Sequence, residues 1–183
     1  IDYSGSDDYI LIQTGGHTTS EVYYFDAGAK DPELTLIAER EEDVQYSVVD
    51  FDGQFYILTN ADGAIDFKIV KAPISAPSKE NWVDVVPHRP GTLILGLEAY
   101  RNHLVRMERN EGLPRLIIRA RESGEEHEIA FPEAAYALGM SGGYEYDTST
   151  LRFEYASPAT PDQVFDYDMN TRERVLRKTR EVP

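Results

Sequence analysis

A phrase of short, apolar-alternating runs recurs along this chain at a near-constant interval. The segment Phe51-Asp52-Gly53-Gln54-Phe55-Tyr56-Ile57-Leu58 reads as a strand end, a tight Asp-Gly turn and a second strand. Tyr100-Arg101-Asn102-His103-Leu104-Val105 has the same form, and Tyr146-Asp147-Thr148-Ser149-Thr150-Leu151 repeats it with one extra turn residue. Near the start, Asp8-Tyr9-Ile10-Leu11 supplies only the second half. The equivalent strand starts, Tyr9, Phe55, Leu104 and Leu151, are separated by 46, 49 and 47 residues.

Two further strands follow each hairpin. The third strands are expected at Val22–Asp26, Phe67–Lys71, Arg115–Arg119 and Val164–Asp168, and the fourth at Leu34–Glu39, Trp82–Pro87, Glu126–Phe131 and Arg174–Lys178. A four-strand period of this length is the signature of a β-propeller. A β-sandwich predicts strands at similar spacing but no such period. The expected fold is therefore all-β: about four four-stranded antiparallel blades, over residues 1–40, 45–88, 92–131 and 134–180 of a single domain 1–183. Blade one lacks a clear innermost strand unless Ile1 to Ser4 supplies a stub. Loose self-similarity and a start at Ile1 favour an arc of a larger ring over a small closed one.

Composition narrows the partners. With 18 Lys and Arg against 33 Asp and Glu, the net charge of -15 disfavours nucleic acid and anionic membranes, which need clustered cations. Such a field attracts basic peptides, or simply keeps the chain soluble. No cysteine is present, so disulfides, thiolate nucleophiles and Cys-ligated metals are excluded here. The absence fits a reducing compartment, and the first residues do not form a signal peptide; a cytoplasmic location is the expectation.

One stretch imitates a catalytic motif. Gly139-Met140-Ser141-Gly142-Gly143 satisfies G-x-S-x-G, the nucleophile-elbow pattern. That elbow needs a strand, a strained turn and then a helix, whereas Tyr144-Glu145-Tyr146-Asp147 leads into a strand-turn-strand pattern. Residues Ala134 to Asp147 fall where an innermost strand belongs, as Gln45–Asp52 and Thr92–Arg101 do in the preceding blades. Three glycines in five residues suit close backbone approach or a bulge. Ser141 is read as structural.

No other reactive set gathers in the sequence. His17 lies in a Gly-rich loop, His88 follows a strand, His103 sits at a hairpin and His127 in a charged run. None has a partner at metal-ligand spacing, so each is expected at the surface or in a turn. Asp50, Asp52, Asp62 and Asp66 do not match a calcium loop. Asp147, Asp166 and Asp168, the last with Asn170, read as structural or turn-closing. No phosphate loop or dinucleotide fingerprint occurs, and no catalytic residue, metal or cofactor is assigned.

Several phrases resemble a known family. Glu80 to Ala120, with Trp82, Pro87-His88-Arg89 and Glu108-Arg109-Asn110-Glu111-Gly112-Leu113, is similar to the non-catalytic propeller of the prolyl oligopeptidase family, in its oligopeptidase B (protease II) branch. The stretches Ile129–Tyr136, Ser157–Asp162 and Phe165–Leu176 resemble the same branch. The resemblance implies a serine peptidase whose seven-bladed propeller caps a separate α/β-hydrolase domain of the same parent chain. This segment would be the C-terminal half of that propeller, about blades four to seven. It implies short peptides as substrates, cleaved after Arg or Lys, with the catalytic Ser, Asp and His lying outside this segment. A free-standing binding propeller or scaffold, and a small hydrolase using Ser141, are the competing readings. Half a ring would leave its terminal blades with exposed apolar faces, so the isolated segment is expected to self-associate.

Overall fold

The computed structural model describes residues 1–140 and 145–181. Among the described residues, regular structure is β throughout except for two short 3-10 turns, Ala61–Gly63 and Lys79–Asn81. The first sheet holds β1 (Asp2–Tyr3), β2 (Tyr9–Gly15), β3 (Ser20–Asp26) and β4 (Thr35–Leu36). The second holds β5 (Tyr46–Phe51), β6 (Gln54–Thr59), β7 (Lys68–Pro73) and β8 (Val83–Val86). The third holds β9 (Thr92–Ala99), β10 (His103–Asn110), β11 (Leu113–Ala120) and β12 (Glu126–Glu128). The fourth holds β13 (Ala137–Met140), β14 (Thr150–Ala156), β15 (Gln163–Asp168) and β16 (Arg174–Thr179). In each sheet the strands lie side by side in chain order.

Turn chemistry explains the tightest connections. Asp52 and Gly53 both take positive φ, 53° and 69°, which closes β5 onto β6 with a twist that suits the flanking strands. Glu111 and Gly112 do the same between β10 and β11, at 51° and 83°. At the β15–β16 corner, the Asp168 carboxylate accepts the Asn170 and Thr171 N–H groups at 2.8 and 2.9 Å.

β4 and β12 are shorter than expected, while β1 is the stub that Ile1 to Ser4 could supply. β1 is a stub of two residues, paired to Ile10 and Leu11. β4 covers Thr35–Leu36 rather than Leu34–Glu39. Beyond it Ile37 still donates to the Val22 carbonyl at 2.9 Å, but Ala38 is captured by the Tyr46 hydroxyl and leaves the ladder. β12 ends at Glu128 rather than at Phe131, because Phe131 turns into an aromatic cluster instead.

The chain divides into two compact units, Ile1–Ile94 and Leu95–Pro183. In the first unit, Val22, Ile37, Phe55, Ile57 and Val70 form the core, with Tyr9, Leu11, Tyr24 and Trp82 packed on it. Tyr24 meets Phe55 edge-on at 4.8 Å and 80°, the arrangement aromatic quadrupoles favour. Tyr46 ties this core together: its hydroxyl donates to the Ala38 carbonyl and accepts the Val22 and Ala38 N–H groups. In the second unit, Val105, Leu116, Ile118, Leu151, Phe153 and Tyr167 are buried together. Phe131 stacks on Tyr155 at 5.0 Å and 11° and stands edge-on to Phe153.

Strand alternation sorts the other faces. In the first sheet Tyr9, Leu11, Val22 and Tyr24 point into the core, so Ile10, Ile12, Tyr23 and Phe25 lie on the opposite face, each partly exposed. In the fourth sheet Leu151, Phe153 and Tyr155 point inward, and the opposite face carries Arg152, Glu154, Asp166 and Arg177. The far face of the first sheet is thus largely apolar, while that of the fourth is mixed, with Val175 exposed opposite the ion-paired Asp166.

Candidate functional site

Ser141, Gly142 and Gly143 lie outside the described residues. On either side, β13 precedes them and residues 145–149 lead without a helix into β14. Gly139 is not demanded by close approach: a Cβ there would sit 3.7 Å from the Glu154 Cβ, an ordinary contact.

The histidines scatter. His17 is exposed, and its carbonyl accepts the Gln45 side-chain amide at 2.9 Å. His88 stands with Asp66: its Nε2 is 3.5 Å from the carboxylate, which also accepts the Gly91 N–H at 2.9 Å. This pair fastens the loop before β7 to the chain leading into β9. His103 sits at the hairpin, as the first residue of β10, but is only 4% exposed with its Nδ1 unpartnered. Its hairpin position was legible; its burial was not, because the residues that cover it come from β15 and its turn. His127 shares a hydrogen bond of 3.0 Å with the Tyr167 hydroxyl. Burial holds both His103 and His127 below the usual imidazole range; Asp168 and Asn170 oppose this at His103, and Arg172 reinforces it at His127.

The aspartates serve structure. Asp50 is buried near the Ser6 N–H, Asp52 forms its turn, and Asp62 bonds Lys68 at 3.1 Å. Asp147 pairs with Arg101 at 2.9 Å. Asp166 is gripped by Arg152 at 2.7 and 2.9 Å and by Arg177 at 2.6 Å. The Arg152 hydrogen bond, then Arg177, holds its carboxyl below the usual range. Among the described residues no group of three or more His, Asp or Glu is placed to hold a metal ion.

Sequence reasoning missed two polar clusters. Arg106, on β10, reaches Glu126 with both terminal nitrogens at 2.7 and 2.9 Å and Glu108 with Nε at 3.0 Å. Arg106 is 8% exposed because two carboxylates answer it. The second cluster is built on Glu133, which accepts the Tyr155 hydroxyl at 2.6 Å and the Thr160 hydroxyl at 2.8 Å. Burial, then the Glu133 carboxylate, pushes Tyr155 up to about 12. Neither cluster contains a serine or a histidine hydrogen-bonded in the manner of a Ser-His-Asp triad.

A cavity of about 190 Å³ opens in the first unit, where the β2–β3 turn meets the start of β5 and the start of β7. Gln13, Gly15, Thr19, Gln45, Ser47 and Phe67 are among its lining residues. Gly15 is required there, since a Cβ would fall 2.6 Å from the Thr19 carbonyl. Phe67 takes φ 65°, a conformation that costs a bulky side chain about 1–3 kcal/mol.

Known proteins place the fold. Residues 1–180 match the family model described as the prolyl oligopeptidase N-terminal β-propeller domain. Dipeptidyl aminopeptidase BI of Pseudoxanthomonas mexicana is 35% identical over 184 residues, covering 100% of this chain and 25% of that protein. Protease 2 of Moraxella lacunata is 27% identical, covering 95% of this chain and 24% of that protein. The structure of oligopeptidase B from Leishmania major superposes with a TM-score of 0.90 at 27% identity, over 98% of this chain and 27% of that one. The chain thus spans about a quarter of the length of the relatives it matches. Four four-stranded blades that match this domain from residue 1 to 180 make the chain a member of the prolyl oligopeptidase family, within its β-propeller.

Proposed function

We propose that this chain is a non-catalytic propeller segment, the C-terminal half, of a longer serine-type oligopeptidase. It sits beside an α/β-hydrolase domain of the same parent chain and restricts entry to short peptides, which that domain cleaves after Arg or Lys. The observation that carries this reading is the family match over residues 1–180, shared with proteins named as peptidases. The described residues support it, since many of their polar groups are engaged in turns and ion pairs and, among them, no serine hydroxyl is hydrogen-bonded to a histidine. A cytoplasmic setting and self-association of the isolated segment belong to the same proposal. The apolar outer face of the first sheet gives the latter its physical basis.

The test compares the full-length parent with the 183-residue chain. The parent is expected to hydrolyse a short peptide ester bearing Arg at the cleavage site, to lose rate as the peptide lengthens, and to spare folded proteins. The isolated chain is expected to be inert and to escape a fluorophosphonate probe. Labelling of the isolated chain at Ser141 would overturn the non-catalytic reading, and equal cleavage of folded and short substrates by the parent would overturn the filter.

A further inference from the structure

We propose that the cavity between the β2–β3 turn, β5 and Phe67 is a subsite for a short stretch of uncharged peptide backbone. This rests on the reading that peptides reach the propeller, and it names a place where one is held.

Charge is the first argument. The unit Ile1–Ile94 carries 6 Lys and Arg against 17 Asp and Glu, so its surface is strongly acidic. Yet every residue lining this cavity is uncharged. A wall free of formal charge in such a setting favours a neutral ligand, because nothing there compensates a desolvated ion.

The second argument is unspent hydrogen bonding on a rigid frame. Ser20 and the Tyr46 backbone bond each other reciprocally, and the Tyr46 hydroxyl is fixed by three backbone groups. Gln45 is pinned through its backbone N–H to Asn60 and through its amide nitrogen to His17. Against this frame, the Gln13 amide and the Thr19 and Ser47 hydroxyls line the cavity without any hydrogen bond of their own among the described residues. Amides and hydroxyls both donate and accept, as a peptide backbone requires. Leu58 and the ring of Phe67 add an apolar wall suited to a small side chain. The left-handed φ of Phe67 is held where it lines this space, the kind of strain that collects at binding sites.

The experiment uses the full-length protein and the probe N-acetyl-alanyl-alaninamide, followed by ligand-observed NMR titration. Saturable binding is expected. Ser47→Trp, which fills the cavity from an exposed position, should abolish it. Gln13→Ala should weaken it about three- to tenfold, the value of one or two hydrogen bonds. Absence of saturable binding, or binding unchanged in Ser47→Trp, overturns the subsite. The two readings fail separately. A parent that filters by length but does not bind the probe loses only the subsite. A parent that binds the probe here but lacks peptidase activity loses only the oligopeptidase reading.

Discussion

The first and fourth sheets are built on one plan and finished differently. Inward they match: Phe55 beneath the first sheet and Phe153 within the fourth are both fully buried among aromatic neighbours. Outward they part. The first sheet presents Ile10, Ile12, Tyr23 and Phe25, while the fourth presents a carboxylate clasped by two arginines. The repeat therefore dictates the buried side of a blade and leaves the other side free to vary. An apolar face suits another sheet laid against it; an ion-paired face suits water or a polar neighbour.

That comparison can be broken at its strongest point first. Phe55→Ala and Phe153→Ala should each cost about 3–5 kcal/mol by denaturant unfolding, the usual toll for emptying an aromatic core site. A much smaller cost at either position would mean that the two inward faces are not equivalent. Asp166→Ala should cost about 1.5–3 kcal/mol at neutral pH, since a carboxylate holding two guanidiniums is lost. The folded-state pKa of Asp166 is depressed, so its contribution is complete above the ordinary carboxylate range and fades as pH falls through the folded value. Wild type and variant should thus converge in strong acid, and a gap that persists there would remove the ion pairs as its cause.

The second unit should also show a milder acid response. Its buried His103 and half-buried His127 sit below their ordinary value of 6.5, so between the folded values and 6.5 the unfolded chain binds more protons. Stability should be complete above about pH 6.5 and decline below it, before the carboxylates titrate. His127→Gln should flatten that early decline in a melting-temperature profile. An unchanged slope would shift the effect to other groups. The smallest effect on folding is expected at Ile12→Ser, about 1 kcal/mol or less for a partly exposed side chain. Its larger signature should be in sedimentation, where the isolated chain becomes more monomeric. Unchanged association would exclude the first outer face as the contact.

Much of this was legible because propeller strands are local. The 46–49-residue interval placed the second strand of every sheet, with Tyr9, Phe55, Leu104 and Leu151 falling in β2, β6, β10 and β14, and the Asp52-Gly53 turn was readable from two residues. Burial across the sheets was harder. The burial of Arg106 has no local signal, because its partner Glu126 lies 20 residues away on another strand. His103 read as a turn residue because Asp168 and Asn170 meet it only after the fourth sheet has formed. The neutral cavity has no sequence motif. It arises where Gln13 on β2, Ser47 on β5, and Gln45 and Phe67 just before β5 and β7 reach the same end of two sheets.

Strand order has a kinetic consequence. In each sheet every strand lies beside the one that precedes or follows it in the chain, and the tightest connections are two residues long. Closing such hairpins loses little loop entropy, and low contact order favours fast formation. A sheet of this kind can form soon after its last strand leaves the ribosome, without waiting for distant sequence. What must wait is the meeting of one finished sheet with the next. In the isolated chain, the apolar outer face of the first sheet is accordingly the surface to watch for misassociation.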